Sequence, residues 1–159
     1  MSGRRREKET PWRLVFFYLV LLLVLAFDQI TKYLALHYLA ATESSAVIPN
    51  IFHLTLVHNT GIAFGFFRQH PSVLLSLISI SLLFLFFWGA RMPKENSMER
   101  FSLALILGGA IGNWIDRVRF GAVIDFLDFR VWPVFNIADS AITVGVILLA
   151  WLMIRKKSS

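Results

Sequence analysis

The sequence predicts an all-α polytopic membrane protein built on four transmembrane helices. Hydrophobic residues make up 57% of the 159-residue chain and charged residues only 16%, against about half and about a quarter in an ordinary soluble domain. Four apolar stretches approach or reach the length of about 20 residues that crosses a hydrocarbon core of about 30 Å. Eleven of the sixteen Lys and Arg fall in three short segments that flank those stretches. A chain of this length needs one domain, so residues 1–159 are read as a single integral-membrane unit.

The first thirteen residues are a polar head with Arg4, Arg5, Arg6, Lys8 and Arg13. Leu14 to Phe27 is an apolar run that could pass for the core of a signal peptide, with Ala26 near a cleavage point. The pattern continues beyond Asp28 through Tyr33-Leu34-Ala35-Leu36, so residues 12–39 read as one uncleaved first span. Residues 40–70 are mixed. Ile51 to Val57 alternates as a short strand does, and His58-Asn59-Thr60-Gly61 is a turn signal. Pro71 suits the first turn of a second span at 71–90. A charged loop follows at 91–100, then a third span at 101–115 that contains Gly108-Gly109-x-x-Gly112. Those glycines allow helices to approach closely. They are not a phosphate loop, because no Gly-Lys-Ser/Thr follows. Residues 116–135 form a second polar segment, and 136–154 is the fourth span, closed by Arg155-Lys156-Lys157.

Four spans place both termini on one side. The head, the 91–100 loop and the tail carry the eleven clustered basic residues, so the positive-inside rule makes that side cytoplasmic. Segments 40–70 and 116–135 then face out. Basic residues split in this way argue against a nucleic-acid partner. The absence of cysteine excludes disulfides, a thiol nucleophile and Cys-type metal sites. The four His lack His-x-x-x-His spacing, so neither a metal nor a cofactor is expected.

Three aspartates fall at a common depth. Asp28 lies fifteen residues after Arg13, Asp116 sixteen after Arg100 and Asp139 sixteen before Arg155. At about 1.5 Å per residue these offsets are roughly 22 to 24 Å, a few ångströms inside the outer surface. Intramembrane carboxylates are costly and mark function by default. Each also has a plainer reading. Asp28 and Lys32 stand at i, i+4 and suit a structural ion pair. Asn136 is a good N-cap, with Asp139 at N3 where the helix dipole favours negative charge. Asn113, Asp116 and Arg117 could cap the third span and pair locally. Ser72, Ser76 and Ser79 share a face as packing residues. Asp125 and Asp128, three apart in Ala122–Phe129, point to opposite faces of a strand. Trp132-Pro133 can turn the chain so that Asp125 approaches Asp139. Two adjacent carboxylates sharing a proton suit acid–base cleavage of a peptide bond. A small transporter or proton-conducting protein is the alternative, and a non-enzymatic scaffold is a third reading. Against conduction, the polar residues cluster at one depth.

The chain resembles the bacterial prolipoprotein signal peptidases, also called signal peptidase II. The resemblance rests on Asp28-Gln-Ile-Thr-Lys32, His58-Asn-Thr-Gly-Ile-Ala-Phe64, Gly108-Gly-Ala-Ile-Gly-Asn-Trp-Ile-Asp-Arg117, Gly121-Ala-Val-Ile-Asp-Phe126 and Phe135-Asn-Ile-Ala-Asp139. It implies four transmembrane helices with a small extracytoplasmic β-cradle. It also implies an aspartyl endopeptidase of the bacterial inner membrane, acting in lipoprotein processing. The activity implied is cleavage before a diacylglyceryl-modified cysteine, by a monomer acting in the lipid bilayer near its outer face. The catalytic dyad falls on Asp125 and Asp139. Support or substrate contact falls on Asp28, Lys32, Asn59, Gly61, Asn113, Asp116, Arg117, Asn136 and Ala138. The connection between the two dyad motifs is shorter than the family pattern.

Overall fold

Seven elements appear in the computed structural model, which describes residues 11–39, 44–60, 71–92 and 96–157. In chain order they are helix α1 (Pro11–Leu39), strands β1 (Ser44–Ile48) and β2 (Phe52–Asn59), helices α2 (Pro71–Arg91) and α3 (Ser97–Phe120), strand β3 (Val123–Asp128) and helix α4 (Ile137–Lys157). The three strands form one antiparallel sheet in the order β1-β2-β3. The protein is therefore mainly helical, with a small sheet.

Helix α3 is the hub, packed against α1, α2, α4 and β3. Its glycines explain how. A Cβ on Gly108 would stand 2.9 Å from the Leu21 carbonyl oxygen of α1, and one on Gly109 would stand 2.5 Å from the Ala138 carbonyl oxygen of α4. A Cβ on Gly112 would collide with the Asp28 carboxylate. On the α2 side, the Trp114 indole N–H donates to Ser79 Oγ at 2.9 Å, so Ser79 is a packing contact as its setting suggested.

Helices α1, α2 and α4 are each long and apolar enough to cross a membrane. Their outward faces carry exposed Leu22, Leu23, Phe27, Leu83, Phe84, Ile147 and Trp151. Helix α3 has the length, at 24 residues, but a more polar composition. Its Ser102, Asn113 and Asp116 are buried against the other elements.

The two ends of the bundle differ. At one end Phe16 stacks on Phe101, and Lys156 lies 3.5 Å from Glu99, so the start of α1, the start of α3 and the end of α4 come together. At the other end, Ala35 and Leu39 of α1 pack with Phe126 of β3, flanked by Leu54, Leu56, Leu127 and Ile137. The pairing of β2 with β3 unites the two segments that the charge pattern puts on one side.

Three local expectations need correction. Helix α3 runs five residues beyond the expected end at 115 and begins at Ser97. It stops at Gly121, whose φ of 70° is the left-handed cap conformation that glycine adopts without penalty. Strand β2 continues through His58 and Asn59, where the sequence signals a turn; their pairing with Ile124 and Val123 overrides the local preference. Asp116 does not cap α3, because α3 continues past it and delivers its carboxylate to Lys32 at 2.7 Å, while the expected electrostatic interaction with Arg117 remains.

The short connection after β3 has a definite shape. Asp128 Oδ1 accepts from the Arg130 backbone N–H at 2.8 Å, and Arg130 takes a φ of 65°. Phe135 then bridges back to Leu127, and its carbonyl accepts from the N–H groups of Phe126 and Leu127. Asn136 and α4 follow directly.

Candidate active site

Two chain stops bring two carboxylates together. The Gly121 cap ends α3 and lets β3 carry Asp125 back across the bundle. Asn136 starts α4 as a capping box: its Oδ1 accepts from the Asp139 N–H at 2.8 Å, and Asp139 Oδ2 accepts from the Asn136 N–H at 3.4 Å. The same Asn136 side chain donates from Nδ2 to Asp125 Oδ1 at 2.7 Å. One fully buried residue thus holds both Asp125 and Asp139.

Each carboxylate has one more amide. Asn59 Nδ2 donates to Asp125 Oδ2 at 3.0 Å, and Asn113 Nδ2 donates to Asp139 Oδ1 at 2.8 Å. Asp125 is 1% exposed. Burial pushes its carboxyl up to about 6; the Asn59 amide pulls it back, and the negative charge of Asp139 adds to the rise.

Beneath the pair lies an ionic layer. Lys32 Nζ stands 2.9 Å from Asp28 Oδ2 and 2.7 Å from Asp116 Oδ2, and donates to Asn113 Oδ1 at 2.8 Å. All three charged residues are essentially inaccessible. The i, i+4 pair expected from sequence is therefore present, with a second carboxylate that the spacing did not reveal. Asp28 Oδ1 also accepts from the Ala138 N–H at 2.9 Å. Ala138 is fully buried, with its carbonyl against Gly109, so its small size fits its place. The Arg117 guanidinium donates to the Asn113 carbonyl at 3.2 Å and interacts electrostatically with Asp139, Asp125 and Asp116.

Ten of the eleven residues singled out in the sequence thus fall in one connected region. The eleventh, Gly61, lies outside the described residues. Sequence reasoning gave no role to Gln29, whose Nε2 donates to Asp28, to the Gly112 carbonyl and to Asp116 Oδ1 at 3.1 Å. Its signal was its place between Asp28 and Lys32, within a predominantly apolar span. Asp128 lies apart from this network, bonded to Thr55 and Arg130 on the other side of β3.

Comparison with known proteins decides the family. The family model for signal peptidase (SPase) II matches residues 20–155. The chain belongs to the signal peptidase II family. Lipoprotein signal peptidase of Moorella thermoacetica is 47% identical over 138 residues, covering 87% of this chain and 92% of that one. The lipoprotein signal peptidase of Caldanaerobacter subterraneus subsp. tengcongensis is 48% identical, covering 84% and 92%. A solved bacterial membrane enzyme matches with a TM-score of 0.80 at 33% identity, covering 90% of each chain. The chain is accordingly a protease and a multi-pass membrane protein.

Proposed function

We propose that this protease removes signal peptides from prolipoproteins by cleaving before a diacylglyceryl-modified cysteine, with Asp125 and Asp139 as the catalytic pair. The observation that carries the assignment is the Asn136 bridge, which commits one buried amide residue to both carboxylates. The names of the relatives supply the substrate class.

Asp139, at the N-terminus of α4 where the helix dipole favours negative charge, takes a proton from water. The resulting hydroxide attacks the scissile carbonyl carbon while Asp125 donates its proton to the carbonyl oxygen. Collapse of the tetrahedral intermediate returns that proton to Asp125 and breaks the C–N bond, and Asp139 protonates the leaving nitrogen. Both carboxyls end as they began. The raised Asp125 carboxyl suits the donor role.

In this reading α3 is a fourth span, with Ser102, Asn113 and Asp116 buried against the neighbouring elements. The termini are cytoplasmic, and the sheet and the pair face out from the bacterial inner membrane. The acyl chains of the substrate then stay in lipid while the scissile bond reaches the carboxylates. A single copy contains every group used.

The test is cleavage of a diacylglyceryl-modified precursor by the purified protein, beside the same precursor without lipid. Cleavage of the modified form alone is expected, and equal cleavage of both overturns the substrate assignment. For orientation, an Asn96→Cys variant should resist membrane-impermeant thiol reagents added to intact cells; ready labelling would reverse the topology.

A further inference from the structure

The ionic layer has a symmetry that ion pairing alone does not require. Lys32 binds two carboxylates, and each carboxylate grips the backbone N–H immediately before one member of the pair. Asp28 accepts from Ala138 N at 2.9 Å, next to Asp139; Asp116 accepts from Ile124 N at 3.2 Å, next to Asp125. Gln29 ties the two arms together, donating to Asp28 at 3.2 Å and to Asp116 at 3.1 Å. Four residues thus set where two separate backbone segments stand relative to each other.

Lys32 also controls an amide. The Asn113 side chain is nearly symmetric in shape, and only its chemistry decides which end faces Asp139. An ammonium has no acceptor, so Lys32 can face only the oxygen of that amide. Asn136 Nδ2 donates to the same oxygen at 3.1 Å. The Asn113 NH₂ is therefore forced toward Asp139 Oδ1, where it donates at 2.8 Å. Were the amide reversed, an oxygen would face a carboxylate. Donation from a charged group to one end of the amide polarises it and strengthens donation from the other end.

We propose that Asp28, Lys32 and Asp116 form a clamp that positions the catalytic pair: it fixes the spacing of the two carboxylates through the backbone, and through Asn113 it holds a donor on Asp139. Lys32 is a positioning residue here, since it touches neither carboxylate of the pair directly in the hydrogen-bond network. The inference rests on the assignment of Asp125 and Asp139 as that pair.

A structural ion pair and a clamp differ in one variant. Asp28→Asn with Lys32→Met removes one negative and one positive charge, so the layer keeps its net charge and one buried anion, Asp116, is left without its ammonium where Lys32→Met alone leaves two; Asp116 keeps the Gln29 amide and the Ile124 N–H. The melting temperature should recover well above that of Lys32→Met alone. If the layer only stabilises the fold, activity recovers with it. If it is a clamp, kcat stays on the order of 10²-fold below the parent, as for a misplacement of about 1 Å. KM should change little, because the residues that change do not touch substrate in this reading. A double variant whose kcat returns to the parental value along with its melting temperature overturns the clamp.

Should the double variant fail to fold, Gln29→Leu serves instead. It loosens the tie between the arms without stranding a charge, and it should lower kcat with little change in melting temperature; unchanged kcat would count against the clamp. Asp125→Asn and Asp139→Asn run in the same assay separate the two ideas. If either cleaves normally, the pair itself is wrong. If both are inactive while the positioning variants are normal, only the clamp is.

Discussion

The two faces of β3 hold the same residue type three positions apart and put it to opposite uses. On the inner face Asp125 is bonded, among the described residues, by neutral amides, and burial raises its carboxyl to about 6. On the outer face Asp128 accepts from the Arg130 N–H, from the Thr55 hydroxyl and from the Arg130 guanidinium, and these donors lower its carboxyl below the usual range. One side keeps a proton available; the other keeps a charge that folds a loop. The period of two along a strand is enough to separate them. Chemistry follows from which side of the strand faces the α3–α4 amides, and residue type alone does not determine it.

The comparison breaks most sharply at the pair. Asp125→Asn and Asp139→Asn should each remove measurable cleavage while leaving a folded protein. Asn cannot exchange a proton, and general acid–base catalysis alone is typically worth about 10²- to 10⁴-fold. Since the two carboxyls act as a unit, the double variant should be little worse than either single one. Release of the signal peptide from a lipid-modified precursor is the measurement, with thermal melting in detergent as the folding check. Near-parental cleavage by either single variant removes that residue from the mechanism.

A second prediction sharpens the inner face through pH. If Asp125 must donate a proton, kcat/KM should fall as pH rises through about 6. The Asn59 amide bonds the ionised form and so lowers the Asp125 carboxyl; Asn59→Ala should carry the alkaline limb to higher pH. A limb that stays in place in that variant would assign it to another group.

Thermal stability gives a third reading of the same face. The folded Asp125 carboxyl lies above its ordinary value of 3.8. The fold therefore favours the protonated form, and stability is lost as pH rises from about 4 to about 6. At roughly 1.4 kcal/mol per unit, the loss is about 3 kcal/mol. Asp125→Asn should melt above the parent beyond pH 6 and lose that advantage near pH 4. An advantage that does not change with pH would mean that relief of a buried charge is not its source.

How much of this was open to a reader of the sequence depends on the range of the signal. The lengths of α1, α2 and α4 followed from apolar runs bounded by basic residues, and the common depth of Asp28, Asp116 and Asp139 followed from counting along helices. The cap at Asn136 with Asp139 at N3 was legible because it lies within four residues. The second carboxylate on Lys32 was not, because Asp116 lies 84 residues away and local spacing offered Arg117 as a nearer partner. The extension of β2 through Asn59 was hidden for a similar reason: His58-Asn59-Thr60-Gly61 reads as a turn until β3 supplies a pairing edge. The bond from Asp28 to the Ala138 N–H joins residues 110 apart. Local capping and periodicity can be read from one sequence; a polar side chain choosing a distant partner depends on the packing of α3.

The smallest effect is expected on the outer face. Asp128→Asn should leave cleavage within roughly twofold of the parent, the range of ordinary substitutions away from a site. Asn keeps an oxygen for the Arg130 N–H, so the turn that returns the chain to Phe135 survives. What is lost is the charge facing the Arg130 guanidinium, and half of that arginine is exposed, where solvent weakens the pairing. The pH dependence should run opposite to that of Asp125. A lowered carboxyl contributes stability above the ordinary carboxylate range and loses it as pH falls through its folded value. The variant should therefore melt slightly below the parent at neutral pH, and the two should converge in acid, where the parent too is protonated. Thr55→Val, which removes the other side-chain donor, should reproduce the small neutral-pH deficit without touching cleavage. If Asp128→Asn instead loses cleavage as fully as Asp125→Asn, both faces of β3 serve the reaction, and the separation by strand period is wrong.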